Sequence, residues 1–245
     1  MVVGVKEARV YDLGRELHDG IPVFPGRFFK QTLAPNGGEP LGENRVDWAI
    51  EVVTSTMQVG THLDALCHLR RGDTGFDGWS LERDSSPHGA TRLGIETAPQ
   101  FVTTGWLVDA SGAGHVIGLD ALDGIEPEPG DAVFFHTGHG ASWDDPAAYL
   151  AHEPGPGMDV AHWLVERGVA LTGADTWSFG PVPAEDADRP FEVPQWLNVE
   201  HGVYVVENLD LAELAADGIR RFGLILTFPK LRGATGAWCT PIALV

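Results

Sequence analysis

Seven short runs rich in β-branched and aromatic residues, each bounded by glycine, proline or aspartate, recur along the 245-residue chain, at 8–17, 46–59, 103–111, 131–138, 168–177, 202–209 and 222–231. Runs of this kind, such as DAVFFHTG and GVYVVENL, predict strands. Between them the pattern changes period. MDVAHWLVERG sets Val160, Trp163 and Leu164 at helical spacing and stops at Gly168, and LDLAELAADG reads as a shorter helix closed by Gly218. The mixture predicts an α/β fold. Two segments, Ile21 to Asn44 with PVFPG and APNGGEP, and Ser178 to Pro194, carry turn chemistry without periodicity and read as long loops, which in a compact domain commonly serve as lids or binding walls. No internal repeat or low-complexity linker interrupts the pattern, so one domain over residues 1–245 is expected.

Composition narrows the function. With 43% hydrophobic residues the chain can bury a substantial core, which argues against disorder. Thirty-five acidic against 16 basic residues give a formal charge of −19, which repels phosphate backbones and anionic membrane surfaces. Nucleic-acid and lipid partners are therefore not expected, and a small-molecule substrate is. The only cysteines, Cys67 and Cys239, are too few for a disulfide scaffold and read as reduced thiols, so a cytoplasmic location is expected. The opening MVVGVKEARV has an apolar run too short for a signal-peptide core, and no later run approaches membrane-spanning length.

The chemistry concentrates in STMQVGTHLDALCHLRRG, which gathers Gln58, His62, Asp64 and His68. A polar surface turn would explain it without function. The alternative is a metal site in which Gln58, His62 and Asp64 are ligands and His68 moves protons beside them. Gln58, Gly60, His62 and Asp64 share parity and leave one face of an extended strand. A straight strand would nevertheless hold Gln58 and Asp64 roughly 20 Å apart, so the chain must bend, and Gly60 is the residue that tolerates it. A turn through ALCH would then bring His68 back. Imidazole and carboxylate suit first-row divalent ions, which acidify water. His136 and His139, directly after an apolar strand, stand where α/β folds commonly place ligand-binding side chains. His115, His152 and His162 read as surface or helix-face residues. Phe24 and Trp177 read as pocket walls or as ordinary core aromatics.

VGTHLDALCH resembles the pattern His-x-Gly-Thr-His-x-Asp-x-Pro-x-His of the cyclase-like metal-dependent hydrolases, a superfamily that includes bacterial kynurenine formamidase, isatin hydrolase and certain polyketide ring cyclases. YDLGRELHDGIPVFPG, PGDAVFFHTG, RGVALTGADTW, HGVYVVENLDL and TFPKLRGATGAWCTPIAL resemble further blocks of it, so the likeness spans nearly the whole chain. It implies a swivelling β/β/α domain, with a mixed sheet core, flanking helices and long active-site loops, assembled as a homodimer or larger with partner loops closing the pocket. It also implies His62 and Asp64 on a metal, His68 as acid/base, and Glu207 near or on a second metal. Three positions depart from the pattern: Gln58 stands for a metal-binding histidine, Leu66 for the proline, and Gln195 where two-metal members place another histidine.

A carboxamide oxygen is a harder and weaker ligand than imidazole, so Gln58 shifts the expected metal toward Mn²⁺, with Zn²⁺ second, and the loss of two histidines predicts one ion per chain. The expected activity is hydrolysis of a small cyclic amide, formamide or lactone by activated water, with His68 as acid/base and His136, His139 and Trp177 positioning the substrate. A polyketide cyclase or dehydratase is the alternative use of the same residues. A degenerate binding protein is a third, opposed by the retained His68.

Overall fold

The computed structural model describes residues 8–35 and 37–245, so the reading of the first seven residues lies outside the described chain. A nine-stranded mixed sheet runs in the order Val10–Asp12, Thr240–Leu244, Arg221–Thr227, Phe101–Asp109, Ala132–His136, Leu171–Ala174, Tyr204–Glu207, His62–Asp64 and Gly236–Trp238. The four strands from Phe101–Asp109 to Tyr204–Glu207 are parallel. Every other neighbouring pair is antiparallel.

Alternation along the strands sorts side chains into two layers. Phe134, Leu107, Val206 and Leu63 pack on one face with Leu211 and with Leu214 of the helix Ala212–Ala216. Phe135, Val108, Val133 and Val205 pack on the other with Val160, Ala161 and Leu164 of the helix Met158–Glu166. Both helices fall where the 3.6-residue pattern predicts them. Because Leu63 and Val206 face the first layer, His62, Asp64 and Glu207 face the second. A third cluster, Ile21, Phe29, Val59, Trp143, Tyr149 and Trp177, lies beneath the long loops.

The segment from Ile21 to Asn44, read as loop, holds a strand, Phe29–Pro35, paired antiparallel with Ala49–Ser55 from Phe29↔Ser55 to Pro35↔Ala49. FKQTLAP carries little β signal of its own, and the partner strand supplies the ladder. Nearly every residue of this hairpin is exposed, including Leu33 at 67% and Val52 at 56%. The loop read from Ser178 to Pro194 ends in a short helix, Glu192–Gln195, that runs into a π turn, Trp196–Glu200. Pro146–Ala151 is a further helix, started by the Asp145 carboxylate, which accepts from Ala147 N and Ala148 N. Cys67 and Cys239 are free and buried. Among the described residues no helix is long and apolar enough to cross a membrane.

Candidate metal centre and active site

Sheet register does what spacing alone could not. His62 lies opposite Glu207 on one side and Trp238 on the other, and Asp64 lies opposite Gly236. His62 and Asp64, two residues apart, share a face with Glu207, so three ligand-type side chains meet. Their ligand atoms lie within 4.8 Å of one another. His62 Nε2 is 3.3 Å from Glu207 Oε2 and 3.6 Å from Asp64 Oδ1.

The bend before His62 is made by Gly60, at φ +58°, where a Cβ would stand 2.1 Å from Leu17 Cδ2. Only glycine fits. The Gly60 carbonyl accepts from His62 Nδ1 at 2.8 Å and from Asn208 Nδ2 at 2.9 Å. A carbonyl only accepts, so Nδ1 carries the hydrogen and Nε2 is the ring atom turned toward the two carboxylates. Asn208 is held in turn by the Tyr149 hydroxyl, which donates to its Oδ1 at 2.9 Å.

Three electron-rich groups thus face one point. His62 Nε2 and Asp64 Oδ1 are buried without a hydrogen-bond partner among the described residues, an arrangement that costs free energy unless a cation sits between them. Burial opposes a charged His62, yet the adjacent Glu207 carboxylate, together with the Asp64 charge, raises its pKa above the ordinary imidazole value. The point attracts positive charge. Its donors, one imidazole and two carboxylates, fit a divalent ion.

His68 reaches the same point. The turn after Asp64 closes with His68 N donating to Ala65 O at 3.0 Å, and His68 Nε2 lies 3.9 Å from Asp64 Oδ1. Gln58 is beside it, with Nε2 donating to Thr235 Oγ1 at 3.0 Å and standing 3.5 Å from His68 Nδ1. Cys67, inside the same motif, is no nucleophile, because burial pushes its thiol up to about 12.

Asp64, His68 and Glu207 open onto a cavity of about 130 Å³ whose other walls include Phe24, Arg27, Trp177 and Phe191. Phe24 stacks on Trp177 at 5.1 Å, and Phe191 meets both edge-on. Trp177 follows a strand end tied down by Asp175, whose carboxylate accepts from Thr137 N and Oγ1 and from Gly138 N and Gly140 N. The buried Glu153 holds the next turn, its Oε2 accepting from Trp177 N at 2.8 Å and Ser178 N at 3.3 Å. Burial, then the charge of Glu207, raises the Glu153 pKa well above its ordinary value.

Three residues singled out in the sequence stand elsewhere. His136 lies against Asp109, with Nδ1 3.0 Å from its carboxylate. His139 is buried, donates from Nε2 to Tyr149 O at 2.8 Å and stacks on that ring. Neither lines the cavity; His139 instead braces the tyrosine that holds Asn208. Gln195 donates to Arg70 O at 2.7 Å and lines a separate surface depression. Arg27, Phe191, Asn208 and Glu153 were not legible as site residues, and only the FPGR turn next to Phe24 offered a signal for any of them.

Known proteins share the family and the fold of this chain. The Cyclase family model matches residues 11–181. Kynurenine formamidase of Erythrobacter litoralis is 25% identical over 213 residues, covering 85% of this chain and 82% of that protein. Kynurenine formamidase of Bordetella petrii is 26% identical over 220 residues, covering 84% and 85%. Among solved structures, one described as a novel cyclase superposes with a TM-score of 0.85 at 27% identity, covering 98% of this chain and 87% of that one. Isatin hydrolase A from Ralstonia solanacearum shares the fold, with a TM-score of 0.73 at 22% identity over 98% and 93%.

Proposed function

Because the chain belongs to the Cyclase family, we propose that it is a metal-dependent hydrolase of a small cyclic amide, formamide or lactone. The observation that carries this reading is the convergence of His62 Nε2, Asp64 Oδ1 and Glu207 on one point, the first two buried and unpartnered among the described residues, beside His68. His62, Asp64 and Glu207 would hold a divalent ion, and an ion there supplies Lewis acidity toward water and a carbonyl. His68 takes the proton of the attacking water and returns it to the leaving group. Phe24 and Trp177 stack on the substrate ring. A cavity of about 130 Å³ suits a single aromatic ring, since one of roughly 150 Å³ holds benzene. That size favours hydrolysis of a compact substrate over the alternative, cyclisation or dehydration of an extended poly-carbonyl chain. The names of the kynurenine formamidase relatives support the formamide arm. Protein loaded with Mn²⁺ or Zn²⁺ should release formate from aryl formamides or open cyclic aryl amides; failure on formamides, cyclic amides and lactones with either ion would overturn the reading.

One ion per chain, Mn²⁺ before Zn²⁺, is the companion proposal. The Gln58 amide nitrogen is spent on Thr235, so its carbonyl oxygen is the end left for an ion, and oxygen suits manganese better than zinc. Gln58→His should retain more zinc through dialysis than the wild type. Two ions per wild-type chain, measured by elemental analysis, would count against the one-metal reading.

The sheet draws strands from Val10 to Leu244, which supports one domain, and the two unpaired buried thiols support a cytoplasmic location. A homodimer is proposed through the Phe29–Pro35 and Ala49–Ser55 hairpin. A two-stranded ribbon is marginal in water, and this one exposes Leu33, Trp48, Ile50, Val52 and Val53. Light scattering at low micromolar concentration should give twice 26.3 kDa, and Ile50→Lys with Val52→Lys should return the monomer. A wild-type mass of one chain would remove the dimer.

A further inference from the structure

Arg27 is a cation among anions and aromatics. It lines the cavity with Asp64, His68 and Glu207, and among the described residues no other lysine or arginine does so. Among the described residues it makes no ion pair; its one hydrogen bond runs from Nη1 to Gln58 O at 3.0 Å. Its place is fixed locally. Phe24, Pro25, Gly26 and Arg27 form a turn closed by Arg27 N to Phe24 O at 2.9 Å, with Pro25 in the second position and Gly26 at φ +89° in the third, as a type II turn requires. The turn sets the guanidinium 5.6 Å from the Phe24 ring centroid, and Phe24 stacks in turn on Trp177. Gln58 links this corner to the reacting centre: its main-chain carbonyl receives Arg27, and its side-chain amide lies 3.5 Å from His68.

A half-buried guanidinium with donors left over, beside an aromatic wall, is built to receive a planar anion. The net charge of −19 and the Asp64 and Glu207 carboxylates would otherwise repel one. We propose that Arg27 is the anion-binding residue of the cavity, the side chain that sets its preference for a substrate with a carboxylate beside the ring. The ring lies against Phe24 and Trp177, the carboxylate takes the Arg27 fork, and the amide carbonyl lies between His68 and the His62, Asp64 and Glu207 cluster. The amide end of this assignment rests on the hydrolase reading; the carboxylate end rests on Arg27 alone.

Two measurements separate the ends. Calorimetry on metal-loaded protein compares 2-aminobenzoate with its methyl ester, and kinetics compares 2-formamidobenzoate with its methyl ester. Arg27→Met should weaken 2-aminobenzoate by about 10- to 100-fold, the loss expected for a hydrogen-bonded charge pair, and raise KM for 2-formamidobenzoate similarly, while both esters change less than about twofold. Arg27→Lys, which keeps the charge without the fork, should fall between. Equal losses for acid and ester would assign Arg27 to holding the turn and overturn the proposal. So would unchanged binding of the acid in both variants, or an acid that binds the wild type no better than its ester. Arg27-dependent binding of the acid without hydrolysis of either formamide would keep the anion site and remove the hydrolase reading. Hydrolysis indifferent to Arg27 would do the reverse.

Discussion

Replacing His68 with alanine is expected to slow turnover by on the order of 10² to 10⁴ while leaving metal content nearly unchanged, because it deletes a general acid/base and none of the three converging ligands. The geometry supports the separation. His68 lines the cavity with its Nε2 3.9 Å from Asp64 Oδ1, and it is not one of the three residues whose ligand atoms all lie within 4.8 Å of one another. The loss should appear in kcat with KM little altered, since proton transfer is felt in the transition state. Loss of the ion from His68→Ala would instead make His68 a ligand, and a residual rate within a few-fold of wild type would leave the proton-moving role without an owner.

Asp64→Ala is expected to behave oppositely, losing bound metal on dialysis and all measurable activity with it. Asp64 is almost fully buried, and its Oδ1 has no hydrogen-bond partner among the described residues. Without it, His62 and Glu207 are left with only the neutral Gln58 oxygen to assist them, too weak a set to hold an ion against water. Asp64→Asn provides the control: it keeps the shape, removes the charge, and should bind metal weakly. Elemental analysis of both variants decides the matter, and full occupancy in Asp64→Ala would remove Asp64 from the ligand set.

How much of this was legible in the sequence depended on distance along the chain. His62 and Asp64 were readable because a strand puts alternate residues on one face, and Gly60 because a bend was needed where it stands. Glu207 was readable only by resemblance, since nothing local in VVENL reveals that its strand pairs with His62–Asp64. The same gap explains His139. A histidine following an apolar strand reads as a pocket residue, but Tyr149 arrives from a helix and takes its Nε2. Arg27 was hidden because the direction of a side chain leaving a tight turn depends on the turn itself. The strand Phe29–Pro35 was missed because its polar, weakly β-prone sequence acquires its ladder from Ala49–Ser55.

The register that joins His62 to Glu207 also sets when the centre can exist during folding. Asn208 reaches the Gly60 carbonyl across 148 residues, and the outermost strand beside Asp64 is Gly236–Trp238, close to the last residue of the sheet. Closing loops of that size is slow, and the entropy is lost before the contacts are gained. An emerging chain therefore carries His62 and Asp64 long before it has a partner for them, and the pair alone holds an ion poorly. Capture of an ion at this centre would then be a late event that reports a completed sheet, and an ion bound only by the finished fold would stabilise it by mass action. Depleting the metal from a folding chain would lower the yield of the native sheet even where the substrate cavity plays no part.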